Sequence, residues 1–169
     1  ALLELELPPA PDVVLSVRDH EVTRTPIFFE SQGRSLFAWL HRPAGVIAHH
    51  GVLICPPVGH ERVHTHRALR HLADRIAAAG FVAMRFDYHG TGDSEGSDHE
   101  DQRLQTWLAN VNDAVTYLQH EAGCDVVSLV GLRMGATLAA LHAETHSVEN
   151  LVLWEPVVKG RRYVRELTA

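Results

Sequence analysis

A series of short, mainly apolar runs, separated by stretches of helical period, limits how this chain can fold more than any other feature. The runs fall at residues 51–57 (GVLICPP), 81–86 (FVAMRF), 126–132 (VVSLVGL) and 150–156 (NLVLWEP). Between them, residues 68–79 space Leu69, Leu72, Ala73, Ile76 and Ala77 as one helix face does, and Gly80 ends the pattern. Leu104, Trp107, Leu108, Val111, Val115 and Leu118 form a second stripe, ended by Gly123, and residues 134–144 read as a third helix. Strands apolar on both faces need cover on both, which predicts a mostly parallel sheet with crossover helices. Residues 22–30 and 35–41 are strand-like and flank Ser31-Gln32-Gly33-Arg34, the signature of an antiparallel hairpin. The predicted fold is therefore α/β, with about six strands and an N-terminal hairpin. A helix is expected to begin near residues 163–167. Residues 1–21, with PPAP at 8–11 after a small strand, read as an extension, and 22–169 as one domain.

Composition narrows the function classes. The chain has 169 residues with 46% hydrophobic and 21% charged, enough for a core without staples. A net charge of −6 argues against a nucleic-acid surface, which needs a basic field. No apolar run approaches the ~20 residues that span a bilayer. The first residues, ALLELELPPAP, lack the basic start of a signal peptide. Two distant cysteines, Cys55 and Cys124, make no disulfide framework, so a reducing, cytoplasmic setting is expected. Arginine outnumbers lysine fourteen to one, a genome-level bias. Histidine is abundant at 13 residues, so each cluster deserves inspection.

Ligand sites in such sheets lie at the carboxyl ends of the strands. There, Gly131-Leu132-Arg133-Met134-Gly135 has the G-x-X-x-G frame of a nucleophile elbow, which holds its central side chain above the sheet at a helix N-terminus. The central residue is Arg133, which stays protonated and cannot attack a carbonyl. Two roles are open to it. Its guanidinium can bind an anionic ligand beside the helix N-terminus, or it can pair with an acid such as Glu155 or Glu61.

His60-Glu61-Arg62-Val63-His64 spells HExxH, which binds zinc only when both histidines share one helix face. It directly follows a strand exit, so its first residues are expected in a loop, and Arg67 and Arg70 stand where the longer motif needs Gly and His. His60, His64 and His66 are read as lining a pocket mouth or the surface, and His49 and His50 as solvated. No metal and no cofactor are expected. Cys55 reads as inert core, Ser94 as structural and Ser128 as buried. His89 is the best spare general base. In GTGDSEG the glycines have the wrong spacing for a dinucleotide, and Asp93 and Glu95 would repel a pyrophosphate.

The segment RFDYHGTGDSEG, with Asp87, Gly90, Gly92 and Ser94, precedes GLRMGA and LVLWEPVV in chain order. From about residue 22 to 158 the chain resembles the first part of an α/β-hydrolase of the serine aminopeptidase-like group. It is also similar to hydrolase-like proteins associated with exosortase systems, where the elbow can carry Arg. The resemblance implies an ester, thioester or amide hydrolase acting on a small acyl substrate. It places Val58 and Met134 as oxyanion-hole donors, with Gly59 and His60 in the same ligand loop. Glu155 stands where some members carry the triad acid, and Arg133 where the nucleophile belongs. The family's histidine and about two strand–helix units are expected beyond the stretch seen here. The alternative is an inactive hydrolase fold that binds an acidic ligand or partner through Arg133. A third, metal-dependent reading rests on the His60–His66 cluster.

In that arrangement the strand near residues 151–154 has an open apolar edge. The chain is expected to self-associate unless a partner covers this edge. A monodisperse monomer by light scattering contradicts that expectation.

Overall fold

The computed structural model describes residues 17–18, 21–97 and 99–167. These form β1 (Val17–Arg18), β2 (Val22–Ser31), β3 (Arg34–Pro43), β4 (His50–Cys55), α1 (His60–Ala78), β5 (Val82–Phe86), α2 (Arg103–His120), β6 (Val126–Leu132), α3 (Met134–Ala143), β7 (Leu151–Trp154) and α4 (Gly160–Leu167). The strands make one sheet in the order β1-β2-β3-β5-β4-β6-β7. Strands β5, β4, β6 and β7 run parallel, and the hairpin joins antiparallel through β3 against β5. The hairpin pairs in full register from Val22↔Pro43 to Ser31↔Arg34. Its turn is Gln32-Gly33, with φ of 52° and 74°, the primed geometry that matches strand twist.

The alternation of side chains along the central strands explains the two-sided cover. On one face Leu53, Cys55, Met84 and Phe86 meet Trp107, Val111 and Leu138 in the main core. On the other, Ile54 and Ala83 meet Leu69 and Ala73 of α1. All four residues of β7 are exposed, the open edge that the sequence reading anticipates.

Two details differ from that reading. Among the described residues the sheet has seven strands rather than about six, because the two-residue β1 pairs with β2. Strand β1 lies within residues 1–21, while the PPAP stretch and its small strand lie outside the described residues. Helix α1 begins at residue 60, well before 68, so HExxH lies inside a helix after all. Gly59 makes this abrupt entry feasible: its φ of 64° and ψ of −143° suit a residue without Cβ. The early turns of α1 are polar and exposed, so apolar period alone does not reveal them.

Two buried histidines give the fold a pH dependence. Arg85 Nε donates to His41 Nε2 at 3.1 Å, so the His41 proton sits on Nδ1 and is donated to Asp74 at 2.8 Å. Burial pushes His41 down to about 4. His142 is likewise lowered to about 4, by burial and then by His146, whose ring stacks on it at 4.3 Å. Each folded-state value lies below the ordinary 6.5, so the unfolded chain binds more protons between these limits. Stability should therefore fall as pH drops from 6.5 to about 4, at up to about 1.4 kcal/mol per pH unit for each ring. Denaturant titrations across this window test the slope, and His142→Leu should flatten its share. A flat profile contradicts the assignment.

Candidate functional site

The turn from β6 into α3 is tight because two glycines permit it. A Cβ on Gly135 would collide with the carbonyl oxygens of Cys55 and Pro56. One on Gly131 would meet the backbone of Ala136. Between them Arg133 adopts φ 55° and ψ −117°, outside the ordinary regions for a residue with a side chain. Its backbone N–H donates to Trp154 O at 3.0 Å, which ties the turn to the end of β7.

The guanidinium is held by acids on three sides. Nε donates to Glu61 Oε1 at 2.9 Å and Nη2 to Glu166 Oε2 at 2.7 Å. Glu155 Oε1 lies 3.7 Å from Nη1. The cation also sits 5.4 Å from the Tyr163 ring centroid, and Tyr163 OH donates to Glu61 Oε2 at 3.0 Å. The hydrogen bond to Glu61 is the main cause that raises Arg133 above its ordinary value. Glu166 is held below the usual carboxylate range by Arg162 and then Arg133. Burial, followed by the Glu61 hydrogen bond, raises Tyr163.

The residues singled out in the sequence surround this turn in three neighbouring cavities. Val58, Gly59 and Met134 line one of 680 Å3, with Leu104, Trp107 and Tyr163 among its apolar walls. Arg133 and Glu155 line one of 330 Å3, together with Lys159, Arg162 and Glu166. Arg133, Glu155 and His60 line a third, of 610 Å3. Met134 opens α3, so its N–H points out of the helix end, and Val58 is buried beside it.

The other chemistry-bearing residues are occupied elsewhere. The Cys55 thiol is fully buried and pushed up to about 12, which removes it as a nucleophile. Ser94 Oγ donates to Asp87 O at 2.6 Å and accepts from Phe37 N–H, so it pins the loop. Ser128 Oγ is engaged by His50 and Asn150. His89 is buried and bonded to Glu100 at 2.9 Å, so it does not serve the cleft as a base. His60 and His64 do share a helix, with rings 6.3 Å apart, but Glu61 between them is committed to Arg133 and Tyr163. Among the described residues no group of three or more His, Cys, Asp or Glu is placed to hold a metal. No described helix is long and apolar enough to cross a membrane.

Two partners of Arg133 escaped the sequence reading: Tyr163 and Glu166. Their i, i+3 spacing puts both on one face of α4, with Arg162 paired to Glu166 at i, i+4, and that spacing is the signal that could have marked them.

Sheet order, elbow geometry and loop placement define an α/β-hydrolase-type protein. The sequence model of the family described as serine aminopeptidase, S33, matches residues 58–169, and the chain belongs to that family. A thermostable monoacylglycerol lipase from Bacillus sp. (strain H-257) is 33% identical over 96 residues, which are 53% of this chain and 36% of that protein. This chain thus matches about a third of the curated relative's length. Among solved structures, ferulic acid-bound Est1E from Butyrivibrio proteoclasticus has a TM-score of 0.66 at 23% identity, over 83% of this chain and 56% of that one. An esterase from Pyrococcus furiosus has a TM-score of 0.65 at 15% identity, over 85% and 56%. These structures share the fold. The resemblance to exosortase-associated proteins gains nothing from any of these matches. In the 169 residues here, the elbow carries Arg in place of Ser, and no histidine follows His146.

Gly135→Ala should destabilise the chain by about 1–3 kcal/mol, because the added methyl must displace the backbone at the β4 exit. A denaturation midpoint equal to that of the unaltered chain contradicts this account of the turn.

Proposed function

We propose that this chain is a non-hydrolytic member of its family that binds an acidic ligand or partner through Arg133. The observation that carries the reading is the guanidinium itself. It stands at the nucleophile position and already holds carboxylates at 2.9 Å and 2.7 Å. Glu61, partly buried and bridged to Tyr163, is the fixed partner. Glu166 is 40% exposed and comes from the surface helix α4, so it is the seat that a ligand carboxylate takes. Lys159 and Arg162 on the same cavity add positive charge around an incoming acid. Val58 and Met134 keep their backbone N–H groups for the ligand's oxygen, and Gly59 and His60 complete the loop around it. Glu155, at 71% exposure and with Arg133 as its ion-pair partner, acts as a rim charge instead of a triad acid.

Membership of a hydrolase family favours a second reading, hydrolysis of an ester, thioester or amide by a longer protein. Arginine at the elbow weighs against it. A charged guanidinium offers no lone pair for attack, and Cys55, Ser94 and Ser128 are buried or bonded elsewhere.

Octanoate and ethyl octanoate separate the readings, since the neighbouring cavity is mostly apolar. By calorimetry octanoate should bind and its ester should not. Arg133→Ala should weaken octanoate at least about tenfold, the loss of a charge-assisted pair. Glu166→Gln should tighten it severalfold by removing the internal competitor. Equal octanoate binding by Arg133→Ala, or hydrolysis of the ester by the unaltered chain, overturns the proposal.

A further inference from the structure

On the α1 face of the sheet, a small cavity of about 70 Å3 lies between β3, β5 and α1. Phe37, Trp39, Arg62, His66, Arg85 and Asp87 line it, and Asp93 stands at its margin. Its two arginines differ in one respect. Arg62 is matched by Asp87, with bonds of 3.1 Å and 2.6 Å to Oδ1. Arg85 has no carboxylate within 4.0 Å among the described residues. Its Nε donates to the neutral His41 ring, and its guanidinium lies 5.6 Å from the Trp39 ring centroid.

A partly buried cation with no anionic partner is costly, and the cost appears in its chemistry. Burial lowers Arg85 to about 10, against the pull of Asp87. His66 is also held below its usual range, by burial and then by Arg85 and Arg62. Two arginines and two aspartates line the cavity, and of the two guanidiniums only that of Arg85 lacks a direct carboxylate contact among the described residues. We infer that the cavity binds one small monocarboxylate, its oxygens on Arg85 and its alkyl group against Trp39 and Phe37.

Size and charge select this class of ligand. At about 70 Å3 the cavity exceeds the roughly 10–15 Å3 that admits a water and is small enough to restrict the ligand to a short-chain acid. The Arg85 guanidinium is the cation in the lining that a ligand carboxylate can reach without breaking an existing ion pair. Asp87 is neutralised by Arg62, but Asp93 remains at the mouth and penalises a second negative charge. A dianionic phosphate is thereby disfavoured, and the aromatic wall favours a ligand with an apolar end. The site is separate from Arg133, which lines other cavities.

The test is a titration of the chain with propionate, followed by NMR of the tryptophan indole N–H signals. A saturable shift at Trp39 is expected. Arg85→Met should weaken binding at least about tenfold, and Arg85→Lys should retain part of it. Arg85→Met also strips His41 of its donor, so His66→Tyr serves as the second variant. The larger ring adds volume to the cavity lining and leaves the Arg85–His41 hydrogen bond in place, and it should likewise abolish the Trp39 response. A response confined to Trp154, unchanged binding in a folded Arg85→Met, or no saturable shift at Trp39 overturns the site. Phosphate binding as tightly as propionate overturns the choice of a monocarboxylate.

Discussion

The close approach of the β6–α3 turn to the exit of β4 is the constraint on which the site depends. Gly135 sits against the carbonyls of Cys55 and Pro56, and no side chain fits between them. That approach forces residue 133 into positive φ and lifts its side chain above the sheet, whatever that side chain is. The same backbone would present a serine for attack. Here it presents a permanent cation. The elbow holds a fixed charge where a serine would hold a lone pair.

A cation in that position must be matched, and the match organises everything around it. Glu61 from α1 accepts both from Arg133 and from the Tyr163 hydroxyl. Glu166 reaches in from α4, and Glu155 stands at the end of β7 with a positive φ of its own. Three acids from three elements converge on one guanidinium. The helix dipole at the start of α3 disfavours a positive charge there, so these acids are also what makes the arginine tolerable.

The layered fold was legible in the sequence because it rests on apolar period. Strand β6 was read at its observed bounds, and α2, α3 and β7 to within a residue or two at most ends. The start of α1 is not legible: its first turns are polar and lack an apolar stripe, and only the backbone freedom of Gly59 marks the entry. At the site, Arg133 and its pairing with Glu61 or Glu155 could be anticipated, because spacing places the elbow and the strand ends. For Tyr163 and Glu166 the sequence offers only their shared face on α4, and that spacing does not say which part of the fold the face meets. The pairing of buried His41 with half-buried Asp74 is hidden from the sequence for the same reason. It joins β3 to α1 across 33 residues, and no local pattern announces it.

Helix α4 is fastened to the elbow at two points of unequal kind. Glu166 grips the outer nitrogen of Arg133 and is partly in solvent, while Tyr163 is buried against the guanidinium and bonded to Glu61. Release of the first leaves the second in place. On the proposed reading, a ligand acid that takes the place of Glu166 leaves α4 still held to the site through the Tyr163 ring and its bond to Glu61. Ligand entry above Arg133 therefore asks for the loss of one exposed ion pair and not for the undocking of a helix.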